Sequence, residues 1–345
     1  MPNIHRMKND IVLSIKPLGF YWETIDPFIF CVHHNDHFPK GNHEMGPDPS
    51  LLRGRNIGSD FTVRDGWRMY HGDKVPGFPV HPHRGFETVT IVRNGFVDHS
   101  DSLGAAGRYG NGDVQWMTAG AGIQHCEMFP LINEDKENHC ELFQIWLNLP
   151  RRNKMVKPHF AMLWGENIAE YRHNDSKGRV TTAKVIAGEI ENIVAPPPAP
   201  DSWAAEKANG VGIWTVRMEP GAEWTMPPAS AKTRRTIYFF RGETLIIGGN
   251  QLRAGVSAEV KCDVPLHLEN GDAETELLVL QAHPIAEPVV QHGPFVMNSE
   301  EEIRQAFTDY RATQFGGWPW PRHDNVHART AGRFAKHADG KTETK

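Results

Sequence analysis

The sequence predicts an all-β chain built as two tandem β-barrels, with one short helix near the C-terminal end. Three observations predict it. Short runs of Val, Ile, Thr and aromatic residues recur between turn residues drawn from 32 Gly and 25 Pro, which is the pattern of strands joined by turns. Runs in the first half return in the second at a spacing of about 140 residues, too long for a solenoid repeat and suited to two copies of one β domain. Finally, a single segment combines a capping signal with helical spacing.

In chain order, FIFCV at residues 28–32 reads as an early strand, and a polar Gly/Pro-rich stretch follows over residues 39–58. TVTIV at 88–92 is a β-branched run stopped by Asn94-Gly95; DVQWM at 113–117 follows Gly112, and LFQIWL at 142–147 ends before Pro150. The second half repeats this pattern. TIYFFRG at 236–242 resembles VTIVRNG at 89–95, and ELLVL at 276–280 before Pro284 resembles the run before Pro150. The proline run at 195–200 reads as a loop, and the domain boundary is placed earlier, near residue 165. Ser299-Glu300-Glu301-Glu302 forms a capping box, and Ile303, Phe307 and Tyr310 follow at helical spacing, so a helix is expected from about 300 to 313. The expected domains are 1–165, a metal-binding barrel; 166–298, a structural barrel without metal; 299–320, a helix and extension; and 321–345, a disordered tail.

Charged residues are 23% of the chain and the net charge is −5, which excludes a general nucleic-acid surface, and Arg151-Arg152 and Arg234-Arg235 are too short to form a local one. No apolar run approaches the ~20 residues of a membrane span. No leader is evident in the first twenty residues, and the four cysteines lack metal or disulfide spacing, so a reducing cytoplasm is the expected location.

The 19 histidines are the first hint of metal chemistry. His81 and His83 lie two apart, as do His125 and Glu127. On a strand, such pairs share a face. Two pairs facing each other inside a barrel would offer three imidazoles and one carboxylate. That mixture suits Fe(II), Mn(II), Ni(II) or Cu(II) better than a closed structural zinc site. Cys126, between two of these residues, should point the other way and pack as a thiol. His99, His139, His159 and His292 read as lone polar groups. Aligning Gly242 on Gly95 places Pro228 and Ser230 where the first barrel has His81 and His83. His267 and Glu269 keep the spacing but lack a partner pair, so they are expected at the surface and the second barrel without metal.

The segments HPHRGFETVTIVRNG and GDVQWMTAGAGIQHCEMFP, with EPVVQHGPFVMNSEEEIRQAFTDY near the C-terminus, resemble the pirin family of the cupin superfamily. The resemblance runs from about residue 28 to 310 and is strongest in the first barrel and the C-terminal run. It implies two jelly-roll-like cupin barrels with one Fe(II) per chain in the first, Mn, Ni, Cu or Co being alternatives. Its ligands would be His81, His83, His125 and Glu127. Arg84 and Glu87 would then be hydrogen-bonding neighbours that orient them. The chain departs from the family pattern at His33-His34-Asn35-Asp36-His37 and in a longer loop before His81, both expected to shape the pocket mouth.

The resemblance also implies quercetin 2,3-dioxygenase activity, an oxidoreductase reaction on a flavonol or similar enolisable aromatic using O₂. Glu127 would be the catalytic base that takes the substrate hydroxyl proton. The other function implied is an iron-dependent, redox-sensing regulatory protein that binds a protein partner and turns over little.

Overall fold

The computed structural model describes residues 11–345. The expectation of no leader rests partly on residues 1–10, which lie outside the described residues. Strands dominate, and Glu300–Thr313 is the α-helix among the described residues. Among the described residues, no helix is long and apolar enough to cross a membrane. The chain divides into two compact units. One consists of Phe30–Glu166, Ala199–Ser202 and Glu287–Lys345; the other holds Asn167–Pro198, Trp203–Ala286 and the described residues up to Ile29. Four consecutive segments therefore do not describe the domains. The N-terminal strand Val12–Pro17 pairs antiparallel with Val256–Val260 of the second barrel, and everything from Glu287 belongs with the first.

The first unit has two sheets. One runs in the spatial order His159–Leu163, Val114–Thr118, Phe86–Asn94, Asn138–Asn148, Phe28–Phe38; the other adds Phe334–Lys336 to Ala106–Gly110, then Phe96–Asp101, Ile123–Met128 and Gly77–His83. The strand Phe86–Asn94 is buried on both faces as far as Val92, which is why its sequence reads as a continuous apolar and Thr run rather than an alternation. The helix forms where its signals lie. Ser299 accepts from the Glu302 amide and Glu302 reaches back to the Asn298 amide, while Ile303 and Ala306 pack with Phe295, Met297 and Phe315. The aromatic residues that follow the helix pack on the same barrel: Trp318 lies against Val75, Cys126 and Met128, and Trp320 Nε1 donates to the Asp101 carbonyl. Gly122, at φ +133°, lies under the Phe315 ring, where a Cβ would come within 2.6 Å of a ring carbon.

The tail 321–345, expected to be disordered, is ordered. Phe334–Lys336 pairs with Ala106–Gly110 and with Thr342–Thr344. The reason is a buried ion pair, Arg108–Asp98, whose remaining guanidinium donors need acceptors and find them on the tail carbonyls of His327, Ala328 and Arg329. Composition reads such a segment as solvated because its partners are distant in sequence.

The second unit pairs Val12–Pro17, Val256–Val260, Arg234–Arg241, Thr275–Ala282, Gly212–Met218, Val180–Ala187 and Glu170–Asn174 in one sheet. The other holds Glu223–Met226, Leu266–Asn270, Thr244–Ile247 and Asn250–Arg253. Trp214, Trp224, Ile237, Phe239, Leu266 and Val279 fill its core, each contributing roughly 1.5–3 kcal/mol of transfer free energy.

Candidate metal centre

Strand register builds the site. Gly77–His83 pairs antiparallel with Ile123–Met128, and His81 stands directly opposite His125. Phe78 is opposite Glu127, so three steps on one strand match two on the other and a β-bulge lies between Phe78 and His81. Without it, Phe78 and His81, three apart, would face opposite ways. The bulge turns both inward, with their rings 6.3 Å apart, the re-aiming of side chains that bulges provide beside functional sites.

His81, His83 and His125 converge so that one ring nitrogen from each lies within 4.8 Å of the others, and such a group could hold a metal ion. His83 and His125 are buried and His81 is partly exposed. His81 Nδ1 is 2.9 Å from the Pro79 carbonyl and His83 Nδ1 is 3.4 Å from the Pro294 carbonyl. These contacts assign the proton to Nδ1 and leave each Nε2 with a free lone pair. Neither ring nitrogen of the buried His125 has a hydrogen-bond partner. A buried polar atom without a partner is costly, and a metal ion would satisfy it. Burial also lowers all three histidine pKa values, that of His81 to about 4, which keeps the imidazoles neutral and able to coordinate. These donors fit a first-row divalent metal.

Glu127 stands beside this group without closing on it. One carboxylate oxygen is 3.8 Å from His125 Nε2. Gln144 Nε2 donates to that oxygen at 2.9 Å, and the Thr90 hydroxyl lies 3.2 Å from the other oxygen and 2.6 Å from Gln144 Oε1. Burial raises its pKa, opposed by His99 and by these hydrogen bonds. The strands explain the company: Thr90 is paired with Gln144, and His99 with Glu127. His99 is fully buried, 3.2 Å from an Asp101 oxygen and stacked on Phe160. Its ring lies 5.5 Å from that of His125. Reading His99 as a lone group missed this neighbour, and no local signal marks Thr90 or Gln144. The spacing His99-x-Asp101 was the available clue.

Two expected neighbours are corrected. Glu87 accepts from Thr118 and Ser202, on the strand face opposite to that of Phe86, whose ring meets His83. Arg84 binds the Ala121 carbonyl and Asp309 and lies over the Phe315 ring. Neither orients a ligand; both anchor the barrel's covering segments. Cys126 packs with Val75 and Met128. His267 is exposed and Glu269 partly exposed, their side chains 3.4 Å apart. His34 is buried with its Nδ1 on the Tyr70 hydroxyl, which also binds Asp36, itself paired with Arg68. His33 binds Glu141, and His37 stacks on His139. The histidine-rich segment thus ties the long loop to the barrel. Phe78 lies between the two regions, its ring 5.9 Å from that of His34.

Comparison with known proteins places these features in a family. The pirin model matches residues 21–147, and the pirin C-terminal cupin domain model matches residues 213–316. Human pirin is 36% identical over 253 residues, 72% of this chain and 80% of its own length. A Pseudomonas aeruginosa protein provisionally named quercetin 2,3-dioxygenase is 38% identical over 240 residues, 69% of this chain and 79% of its own. In fold, the chain is similar to a crystal structure of quercetin 2,3-dioxygenase from Acinetobacter baumannii, with a TM-score of 0.68 at 24% identity, covering 89% of this chain and 98% of that one.

Proposed function

This chain belongs to the pirin family, and from that premise we propose that it is a metal-dependent dioxygenase of the quercetin 2,3-dioxygenase type. Its substrate would be a flavonol or similar enolisable aromatic, cleaved oxidatively with O₂. The observation that carries the reading is the convergence of His81, His83 and His125, with both ring nitrogens of buried His125 lacking a hydrogen-bond partner among the described residues. These three would hold the metal with Glu127 as the fourth ligand. Fe(II) is the first candidate, with Mn, Ni, Cu and Co as alternatives. Bound there, the metal would supply Lewis-acid and redox chemistry.

The chain's own residues supply the rest. Gln144 and Thr90 fix the Glu127 carboxylate, and burial raises its proton affinity. A carboxylate so placed takes the proton of a substrate hydroxyl and leaves an electron-rich oxyanion. Phe78, Phe86 and Trp146 border the histidines with aromatic surface, suited to a planar aromatic substrate and to excluding water.

Oxygen uptake by iron-loaded protein given quercetin tests the proposal. Uptake should be metal-dependent, lost together with the metal in His125→Ala, and lowered on the order of a hundredfold in Glu127→Gln. Undiminished uptake in Glu127→Gln would remove the base role, and uptake in metal-free protein would overturn the reading. Metal bound at one per chain with no uptake would favour the redox-sensing, protein-binding role.

A further inference from the structure

The second barrel contains a cavity of about 640 Å³, within the usual range for small-molecule sites. Its floor is unlike the metal centre. Arg235, Ile237 and Phe239 alternate along one strand face, and Ile237 and Phe239 belong to the barrel core. Arg235 continues that face into the cavity and is only 1% exposed. Its neighbour across the sheet is Gln281. In the first barrel the equivalent pair, counted back from Gly242 and Gly95, is Thr88 opposite Trp146, and Trp146 packs on His83. The second barrel therefore sets a cation where the first has neutral residues beside its histidines. Pro228 and Ser230, which replace the histidines, line the same cavity.

Among the described residues, Arg235 has no carboxylate partner. Its Nε donates to Gln281 Oε1 at 2.8 Å, and its two terminal nitrogens share the Pro227 carbonyl, each at 3.2 Å. Of five guanidinium N–H groups, these bonds use three. Burial without an opposing carboxylate lowers the Arg235 pKa, yet arginine stays charged in proteins, and an uncompensated buried charge is costly. His283 Nε2, also buried, lines the cavity without a partner. The acidic residues of the lining are exposed and engaged elsewhere, Glu189 with Lys207 and Glu191 with Tyr171.

We propose that this cavity is a binding site for a small organic carboxylate, held by Arg235 with its planar or apolar body against Trp214 and the proline wall at 196–198. The guanidinium carbon lies 5.6 Å from the Trp214 ring centroid, so charge and aromatic surface are adjacent. A phosphate dianion suits the site less well, because Arg235 is the one buried cation of the lining, its buried polar neighbours Thr233 and Gln281 are neutral, and the rest is mostly Pro, Ala, Val and Trp surface. The site is independent of the dioxygenase reading and would supply the second barrel with a ligand-sensing role.

Calorimetric titration of the full-length, metal-loaded protein with benzoate, and separately with inorganic phosphate, tests it. Benzoate should bind, and binding should weaken roughly tenfold or more in Arg235→Gln, the change expected for losing charge-assisted hydrogen bonds. Ser230→Trp, at an exposed lining position, should block the cavity without touching the core and give the same loss. His125→Ala should leave benzoate binding intact, because the metal centre is not involved. Benzoate binding that is absent from the wild type, unaltered in Ser230→Trp, or lost in His125→Ala would overturn the proposal. Phosphate binding as tight as benzoate would overturn the carboxylate assignment.

Discussion

Glu87 follows His83 by four residues, yet its carboxyl lies on the strand face away from the histidines, enclosed by Thr118 and Ser202. Burial raises its pKa from 4.5 to about 7. The folded state therefore holds this proton more tightly than the unfolded chain. Between the two pKa values the folded protein binds more protons, so stability falls as pH rises from about 4.5 and the loss is complete above about 7. The total is about 3 kcal/mol. Glu87→Gln removes the titration. Urea midpoints for the two proteins should diverge in favour of the variant between about pH 5 and pH 8, and parallel pH profiles would show that Glu87 is already ionised in the fold. At this scale the sequence was most legible where the chemistry is periodic. His81 with His83 and His125 with Glu127 could be paired from their spacing alone. The roles of Thr90, Gln144 and His99 could not, because each meets Glu127 through strand register, a property of distant segments. Arg84 and Glu87 differ from expectation for the same reason: nearness in sequence to the histidines is not nearness in space.

Strands and their connections carry the next level of specification. The helix at Glu300–Thr313 was readable to the residue because its cap, acidic first turn and apolar stripe are local signals. The bulge between Phe78 and His81 was not, since a bulge exists only relative to its partner strand. Lys154 shows what holds such elements in place. It is 1% exposed, and its ammonium donates to the Gly85 and Val296 carbonyls and to Asn148 Oδ1. Three separate segments around the His81–His83 strand end thus converge on one cation. A Lys154→Met replacement would keep the apolar stem but leave three buried acceptors without a donor, at a cost of about 3 kcal/mol. The same change should loosen the strand end and weaken metal binding without removing a metal ligand. A chemical-denaturation curve together with a metal titration checks both effects. Unchanged stability would mean that other donors, such as water, reach these carbonyls.

For the molecule as a whole, two barrels were legible from the repeat, but the segments that complete each were not. The tail belongs to the first barrel through contacts that no local pattern announces. Arg108 is almost wholly buried against Asp98 and spends its other donors on His327, Ala328 and Arg329 carbonyls. The His327 amide returns a bond to Asp98, Asn325 reaches Ser100, and Arg333 pairs with Asp113. Deleting residues 321–345 would strip acceptors from a buried guanidinium, open one edge of Ala106–Gly110, and expose Cys126 where it meets the Asn325 carbonyl. Breaking one side of a buried charged network costs several kcal/mol, and the loss should fall on the unit that holds the network. Hydrogen exchange can read this by segment. In the truncated chain, amides of Phe96–Asp101 and Ala106–Gly110 should lose protection while those of Arg234–Arg241 keep theirs, because the second barrel has its own core around Trp214 and Trp224. Equal loss in both units would mean that the barrels fold as one cooperative body, and no loss in either would reduce the tail to a surface covering. Selective loss would make the C-terminal segment the last structural layer of the barrel that carries the histidines, linking the end of the sequence to the integrity of a site some two hundred residues before it.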